Sequence, residues 1–138
     1  MKLTLHEAVR LNLSDKAIFA LHEAGELDIN SGAERILDSP TWLVIIPHTF
    51  EALVTYGKGT KWSPAHPSQG KPYFDMYNKQ GHFIIFINKK TGEKYLAHED
   101  VTVDSNDRQI EPEEFSNILY SIFSETTDIK GFDEVEGD

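Results

Sequence analysis

Ser63, His66 and His98, with Glu99 and Asp100 following the last, supply a hydroxyl, two imidazoles and a carboxylate. These are the residue types of a nucleophile activated by a base and oriented by an acid. Trp62-Ser63-Pro64 is not a Gly-x-Ser-x-Gly elbow, so the local sequence does not itself present the hydroxyl. Just before it, Gly57-Lys58-Gly59-Thr60-Lys61 combines two glycines, which let backbone amides approach an anion, with two lysines that supply charge. Its spacing is that of neither a Walker loop nor a dinucleotide fingerprint. Lys58, Gly59 and Lys61 as phosphate ligands, with Ser63, His66 and His98 as nucleophile and acid-base groups, would suit an enzyme, or a degenerate one, acting on nucleotide or nucleic acid. The histidines do not suggest a metal. His6-Glu7 and His22-Glu23 lack the second histidine of the zincin spacing, and His48, His66, His82 and His98 fall on separate elements. The chain has no cysteine, which excludes a thiolate zinc site and a thiol nucleophile. No metal and no other cofactor is expected.

Charge points to a different chemistry. The 138 residues carry 13 Lys and Arg against 23 Asp and Glu, for a net charge of -10. Residues 1–56 hold four bases and eight acids, residues 57–98 hold seven lysines against Asp75 and Glu93, and residues 99–138 hold two bases and thirteen acids. The basic middle interleaves its lysines with Trp62, Tyr73, Phe74, Tyr77, Phe83, Phe86 and Tyr95, a composition that could stack bases. Most of those aromatics are better assigned to a core, and a net charge of -10 repels nucleic acid at long range, which makes direct nucleic-acid binding the lesser expectation. The acidic end instead offers Glu111, Glu113, Glu114, Glu125 and Asp128 to a basic surface on another protein, with Trp62 as an exposed aromatic in the neighbouring loop. The competing reading of that end is a solvated tail that serves solubility.

The elements that must position these groups follow from caps and periodicity. Thr4-Leu5-His6-Glu7 has capping-box spacing and predicts a short helix to about Asn12; Ser14 caps a second, over Asp15 to Ala24, that Gly25 stops. Ser31-Gly32-Ala33-Glu34 repeats the capping-box spacing and predicts a third helix of about two turns, ended by Pro40. Trp42-Leu43-Val44-Ile45-Ile46 is apolar without alternation, as in a strand covered on both faces, and Thr49 caps a helix over Phe50 to Tyr56 with Gly57 as its stop. The glycines and prolines from Gly57 to Pro72 predict a loop with no regular element. A short helix over Tyr73 to Lys79, strands over 82–88, 93–98 and 101–103, and a last helix from Pro112 complete the reading. In that helix Phe115, Ile118, Leu119, Ile122 and Phe123 form an apolar stripe.

The expected fold is therefore α+β: one domain over residues 1–124, with a small antiparallel sheet of about four strands packed with amino-terminal helices and the last helix. An acidic tail over 125–138 is expected to be mobile. The longest aliphatic run, at Trp42 to Ile46, is too short to cross a bilayer, and the amino terminus lacks a continuous apolar stretch behind Lys2, so no membrane contact and a cytoplasmic location are expected. Neither a heptad nor an internal repeat marks an oligomer or a virion component.

One stretch resembles a module of small uncharacterised bacteriophage proteins. It runs from Trp42-Leu43-Val44-Ile45-Ile46-Pro47-His48-Thr49-Phe50-Glu51-Ala52 through Tyr56-Gly57-Lys58-Gly59-Thr60-Lys61-Trp62, Tyr73-Phe74 and Tyr77 to Gly81-His82-Phe83-Ile84-Ile85, Lys94-Tyr95 and His98. The resemblance covers about residues 41 to 100. In that module a Tyr-Gly-x-Gly-Thr-x-Trp run is followed by Cys; this chain has Ser63 there and keeps Ala65. If the module used that cysteine as a nucleophile, this member has a changed nucleophile or no catalysis. The resemblance implies a phage accessory protein acting in the host cytoplasm. Combined with the acidic surface, it gives the leading expectation of a small acidic, non-enzymatic protein that binds and inhibits or redirects a host nucleic-acid-handling or defence protein.

Overall fold

The computed structural model describes residues 2–29 and 32–126. The chain opens with β1 (Leu3–Thr4), α1 (Leu5–Leu11), α2 (Asp15–Glu23) and β2 (Leu27–Asp28). Both halves of the Thr4-Glu7 capping box form, Ser14 Oγ accepts from the Ala17 amide, and Gly25 at φ +72° ends the α2 turn. β1 and β2 pair in parallel and tie the ends of this helical segment together.

A five-stranded sheet follows in the order β3 (Ala33–Asp38), β4 (Trp42–Pro47), β5 (Ile84–Asn88), β6 (Lys94–His98) and β7 (Val101–Val103), antiparallel throughout. α3 (Phe50–Tyr56) and α4 (Lys71–Asn78) lie in the connection between β4 and β5, and α5 (Pro112–Thr126) ends the described chain. The α+β class is as expected, with one strand more than the four predicted.

That fifth strand is β3, where the sequence predicts a helix. A capping motif is worth about 1 kcal/mol, whereas an uncovered β4 edge would leave a row of amides and carbonyls without partners. β3 satisfies them from Ala33 opposite Pro47 to Asp38 opposite Leu43, with a bulge between Arg35 and Leu37. Pro40 therefore sits in a tight hairpin connection, closed by Ser39 N to the Trp42 carbonyl at 2.8 Å, and does not stop a helix. Gly32 fits the ladder for a local reason: a Cβ there would lie 2.2 Å from Thr49 Oγ1.

The central strands β4, β5 and β6 are buried on both faces. Leu43, Ile45, Ile85, Ile87 and Leu96 face a helical layer that contributes Leu5, Ala8, Ile18, Leu53 and Phe74. Trp42, Val44, Phe86, Tyr95 and Ala97 face Ile118 and Ile122 of α5. Alternation along one strand thus serves two cores, which explains why β4 lacks polar positions. The apolar stripe of α5 is narrower than predicted, because Phe123 lies at its edge and is half exposed.

α5 is also fixed by polar contacts. Trp42 Nε1 donates to Ser121 Oγ at 3.2 Å. The Glu125 carboxylate accepts from Ser39 Oγ, from Thr41 Oγ1 at 2.6 Å and from the Thr41 amide at 3.0 Å. Glu125 is accordingly not the start of a free tail: the helix continues past Ser124 to Thr126, and Glu125 clamps it to the β3–β4 turn. Burial alone would raise this carboxyl, but the hydrogen bonds from Ser39 and Thr41 outweigh it and hold the group below the usual carboxylate range. A carboxyl depressed in the folded state contributes stability that is complete above its ordinary value and is lost as pH falls through the folded one. Glu125→Gln is therefore expected to lower stability by about 1 kcal/mol near neutral pH, the low end for a charged acceptor because solvent reaches the site. Urea midpoints should converge with those of the parent chain as the solution is acidified below the carboxylate range; a difference that does not change with pH would assign the effect to packing.

Candidate functional site

The loop after α3 builds a sizeable cleft. Gly57 ends α3 because its amide reaches the Leu53 carbonyl at 2.7 Å, and a Cβ there would meet that carbonyl at 2.6 Å and the Ala65 Cβ at 2.9 Å. The chain then runs back along α1 and encloses about 590 Å³ between α1, the end of α3 and residues 57–67. Its course is held by distant partners. The Lys61 amide donates to the Ser105 carbonyl at 2.8 Å, Trp62 Nε1 donates to the Asp104 carbonyl at 2.7 Å, and Thr60 Oγ1 closes a turn on the Gly57 carbonyl at 2.7 Å.

Lys58, Gly59, Lys61, Ser63 and His66 all line this cleft, so the structure brings together most of the phosphate and acid-base groups expected from sequence. It does not leave them all available. The Lys58 ammonium donates to Asn12 Oδ1 at 2.9 Å, to the Asn12 carbonyl at 3.1 Å and to the Leu13 carbonyl, which uses its three hydrogens on the open end of α1. Lys58 is therefore a helix-end clamp and not a phosphate ligand. Gly59 sits at φ +83° with open space around it, and the Lys61 side chain is exposed.

The proposed catalytic set is divided. His98 does not line the cleft: its Nε2 meets the Tyr77 carbonyl at 2.8 Å and its ring lies 4.7 Å from that of Phe83. Ser63 begins a short 3₁₀ turn, Ser63–Ala65, inside the segment predicted to hold no regular element, and α4 starts at Lys71, ahead of the predicted Tyr73. His66 Nδ1 accepts from the amides of Ser68 at 3.2 Å and Gln69 at 3.1 Å, which leaves Nε2 to carry the proton in the neutral ring. A ring held this way presents a donor to the cleft and not a base. Ser63, His66 and His98 therefore form no nucleophile-base-acid chain.

Trp62 corrects a further expectation. It is 2% exposed, packed in the core with its indole N–H satisfied, and so presents no aromatic surface to a partner. A large apolar ring with one donor gains more from burial against that carbonyl than from display in water. Among the described residues the two most exposed aromatics are on α5, where Tyr120 is 75% and Phe123 51% exposed; Tyr73 on α4 is exposed to a lesser degree. Glu111, Glu113 and Glu114 are exposed at the start of the same helix. Asp128 lies outside the described residues.

Two buried polar clusters stand apart from the site expected from sequence. Lys94, 3% exposed on β6, donates to Asp15 Oδ1 at 3.1 Å and to the Lys58 carbonyl at 2.8 Å; burial pulls its ammonium below the ordinary lysine range against the opposing pull of Asp15. Period-two alternation would have placed Lys94 on the Leu96 side of β6, facing the helical layer. His22 is also buried, with Nδ1 3.6 Å from Asp38 Oδ2, and burial lowers its pKa despite Asp38. Neither His22 Nε2 nor the nearby Tyr56 hydroxyl has a hydrogen-bond partner among the described residues, but both atoms are closed off from solvent and cannot meet a substrate. No group of three or more His, Asp or Glu among the described residues is arranged to hold a metal ion, and no helix among them is long and apolar enough to cross a membrane.

The unequal roles of the two loop lysines are measurable. Lys58→Met should lower the urea midpoint by an amount equivalent to about 1–2 kcal/mol, since it leaves the α1 carbonyls without their cation. Lys61→Met should stay within about 0.5 kcal/mol of the parent chain. Equal losses from the two substitutions would refute the division of labour. No family model, curated protein or solved structure matches this chain.

Proposed function

We propose that this protein works by binding another protein, and that it engages a basic surface through the outer face of α5. The observation that carries this reading is an aromatic surface on an acidic helix: Tyr120, 75% exposed, and Phe123, 51% exposed, follow Glu113 and Glu114 on a helix that contains no Lys, Arg or His. Glu113, Asn117 and Tyr120 recur at helical spacing on the side opposite Ile118 and Ile122. Large exposed aromatics cost solvation and are the residue type that anchors interfaces, while carboxylates around them steer an oppositely charged partner. The helix dipole adds to the negative field at the carboxyl end, where no cation stands in the last turn.

Among the candidate partners, basic grooves that hold nucleic-acid phosphates fit this surface best, and an acidic helix seated in such a groove would exclude the nucleic acid. The resemblance of residues 41 to 100 to small bacteriophage proteins supports a host protein as the partner and inhibition or redirection as the outcome, within the host cytoplasm. The separation of His98 from Ser63 and His66, and the use of Lys58 as a clamp, weigh against turnover of a nucleotide at the loop.

The test is capture of partners from nuclease-treated bacterial lysate, followed by direct binding of the captured protein at physiological salt. The double substitution Glu113→Lys with Glu114→Lys should slow association and abolish its salt dependence. Tyr120→Ala should weaken the complex about tenfold or more through faster dissociation. His66→Ala together with His98→Ala should leave binding unchanged. Undiminished binding by the α5 variants, or loss of activity in the histidine variant, would overturn the proposal.

A further inference from the structure

We propose that the cleft between α1, the end of α3 and residues 57–67 binds a small anion carried on an aliphatic body. This site lies on the opposite face of the sheet from α5 and does not depend on the protein-binding reading.

Its volume of about 590 Å³ falls within the range of small-molecule sites, about 300–1,000 Å³. Its composition is selective. Among the described residues no Asp or Glu lines it, although the chain carries 23 of them and a net charge of -10. The cationic and donor groups on its rim are Lys61, His66 and the exposed Ser63 hydroxyl. The Lys61 backbone is fixed by the Ser105 carbonyl while its ammonium extends from an exposed side chain, and His66 is oriented by two amides so that Nε2 carries a proton. Donors lining a cleft free of carboxylates suit a carboxylate or a phosphate monoester.

The floor decides what the anion is attached to. Ala8 and Val9 of α1, Leu13, Ile18 and Val54 supply aliphatic surface. The polar groups among them are already used: Lys58 donates to Asn12 and Leu13, Thr55 Oγ1 to the Glu51 carbonyl at 2.8 Å, and Thr60 Oγ1 to the Gly57 carbonyl at 2.7 Å. A nucleobase seated there would find its polar edge without partners, which a buried polar edge does not tolerate. Trp62 borders the cleft but is 2% exposed, which leaves little of its ring for stacking. An alkyl chain needs none of these partners and gains from the apolar floor.

Calorimetric titration of the full chain with decanoate, decyl phosphate, decanol, AMP and inorganic phosphate tests the assignment. One equivalent of decanoate or decyl phosphate should bind, at least tenfold more tightly than decanol or inorganic phosphate, with AMP weaker than both. The tighter of the two decyl probes identifies the headgroup as carboxylate or phosphate. Lys61→Met should weaken that probe about tenfold while leaving decanol unchanged, and Val9→Glu, at the edge of the floor, should weaken both. Tyr120→Ala should change neither. The assignment is overturned if AMP binds more tightly than the decyl probes, if decanol equals decanoate, if Lys61→Met binds decanoate as the parent chain does, or if a chain that unfolds cooperatively in urea binds neither decyl probe.

Discussion

A buried ammonium holds the helical layer, the sheet and the 57–62 loop in one arrangement. Lys94 projects from β6 among apolar neighbours, where a charge alone would be costly, and meets Asp15 at the start of α2 and the carbonyl of Lys58 in the loop. Lys58 then turns its own ammonium onto the last carbonyls of α1. Sheet, α2, loop and α1 are thus joined through two lysines, each answering a desolvation problem that the other element creates. The carbonyl that accepts from Lys94 belongs to the residue whose side chain caps α1, so the loop cannot shift without freeing both. This constraint gives the cleft its walls, and it explains why a segment rich in glycine and proline keeps one shape.

What the sequence made legible follows from how local each interaction is. Thr4 with Glu7, Ser14 with Ala17 and Thr49 with Ala52 are contacts three residues apart, and the helices they start lie where the spacing puts them. The Asn88 to Gly92 hairpin and the strands around it are equally local, since Asn88 Oδ1 accepts from the amides of Lys90 and Thr91. Residues 33–38 show the opposite case. Their cap pattern is genuine at short range, but the ladder that decides their conformation belongs to β4, and no residue within the segment reports it.

The candidate site divides along the same line. Lys58, Lys61, Ser63 and His66 share a cleft because a short stretch of chain carries them all. His98 belongs to a strand whose register sends it to Tyr77 and Phe83 instead, and six histidines in a sequence say nothing about which strand faces which helix. Trp62 was legible as a residue with a task, since a large aromatic in a long loop is rarely idle. The partner that sets the task, the Asp104 carbonyl, lies 42 positions away, and only that contact turns an apparent surface anchor into a core residue. Glu125 behaves alike: composition assigns it to an acidic tail, and Ser39 and Thr41, more than eighty positions earlier, recruit it to the fold.

One face of the sheet carries the α5 carboxylates, and the cleft on the other face has no carboxylate in its lining among the described residues. A net charge of -10 opposes any approaching anion, but at physiological salt that field decays over about 8 Å. Within that range the groups that matter to a ligand at the cleft are Lys61, His66 and the backbone around Gly59, not the acids beyond the sheet. Under the proposed reading the same screening would confine the pull of α5 to partners already close to it, where the exposed Tyr120 offers apolar surface. The α5 surface and the cleft lining are therefore insulated from each other, although α1, α2 and α3 on the cleft's side carry Glu7, Asp15, Glu23 and Glu51. The doubly buried central strands that separate the two, with Leu43 and Ile45 facing one way and Trp42 and Val44 the other, provide that insulation as well as the core.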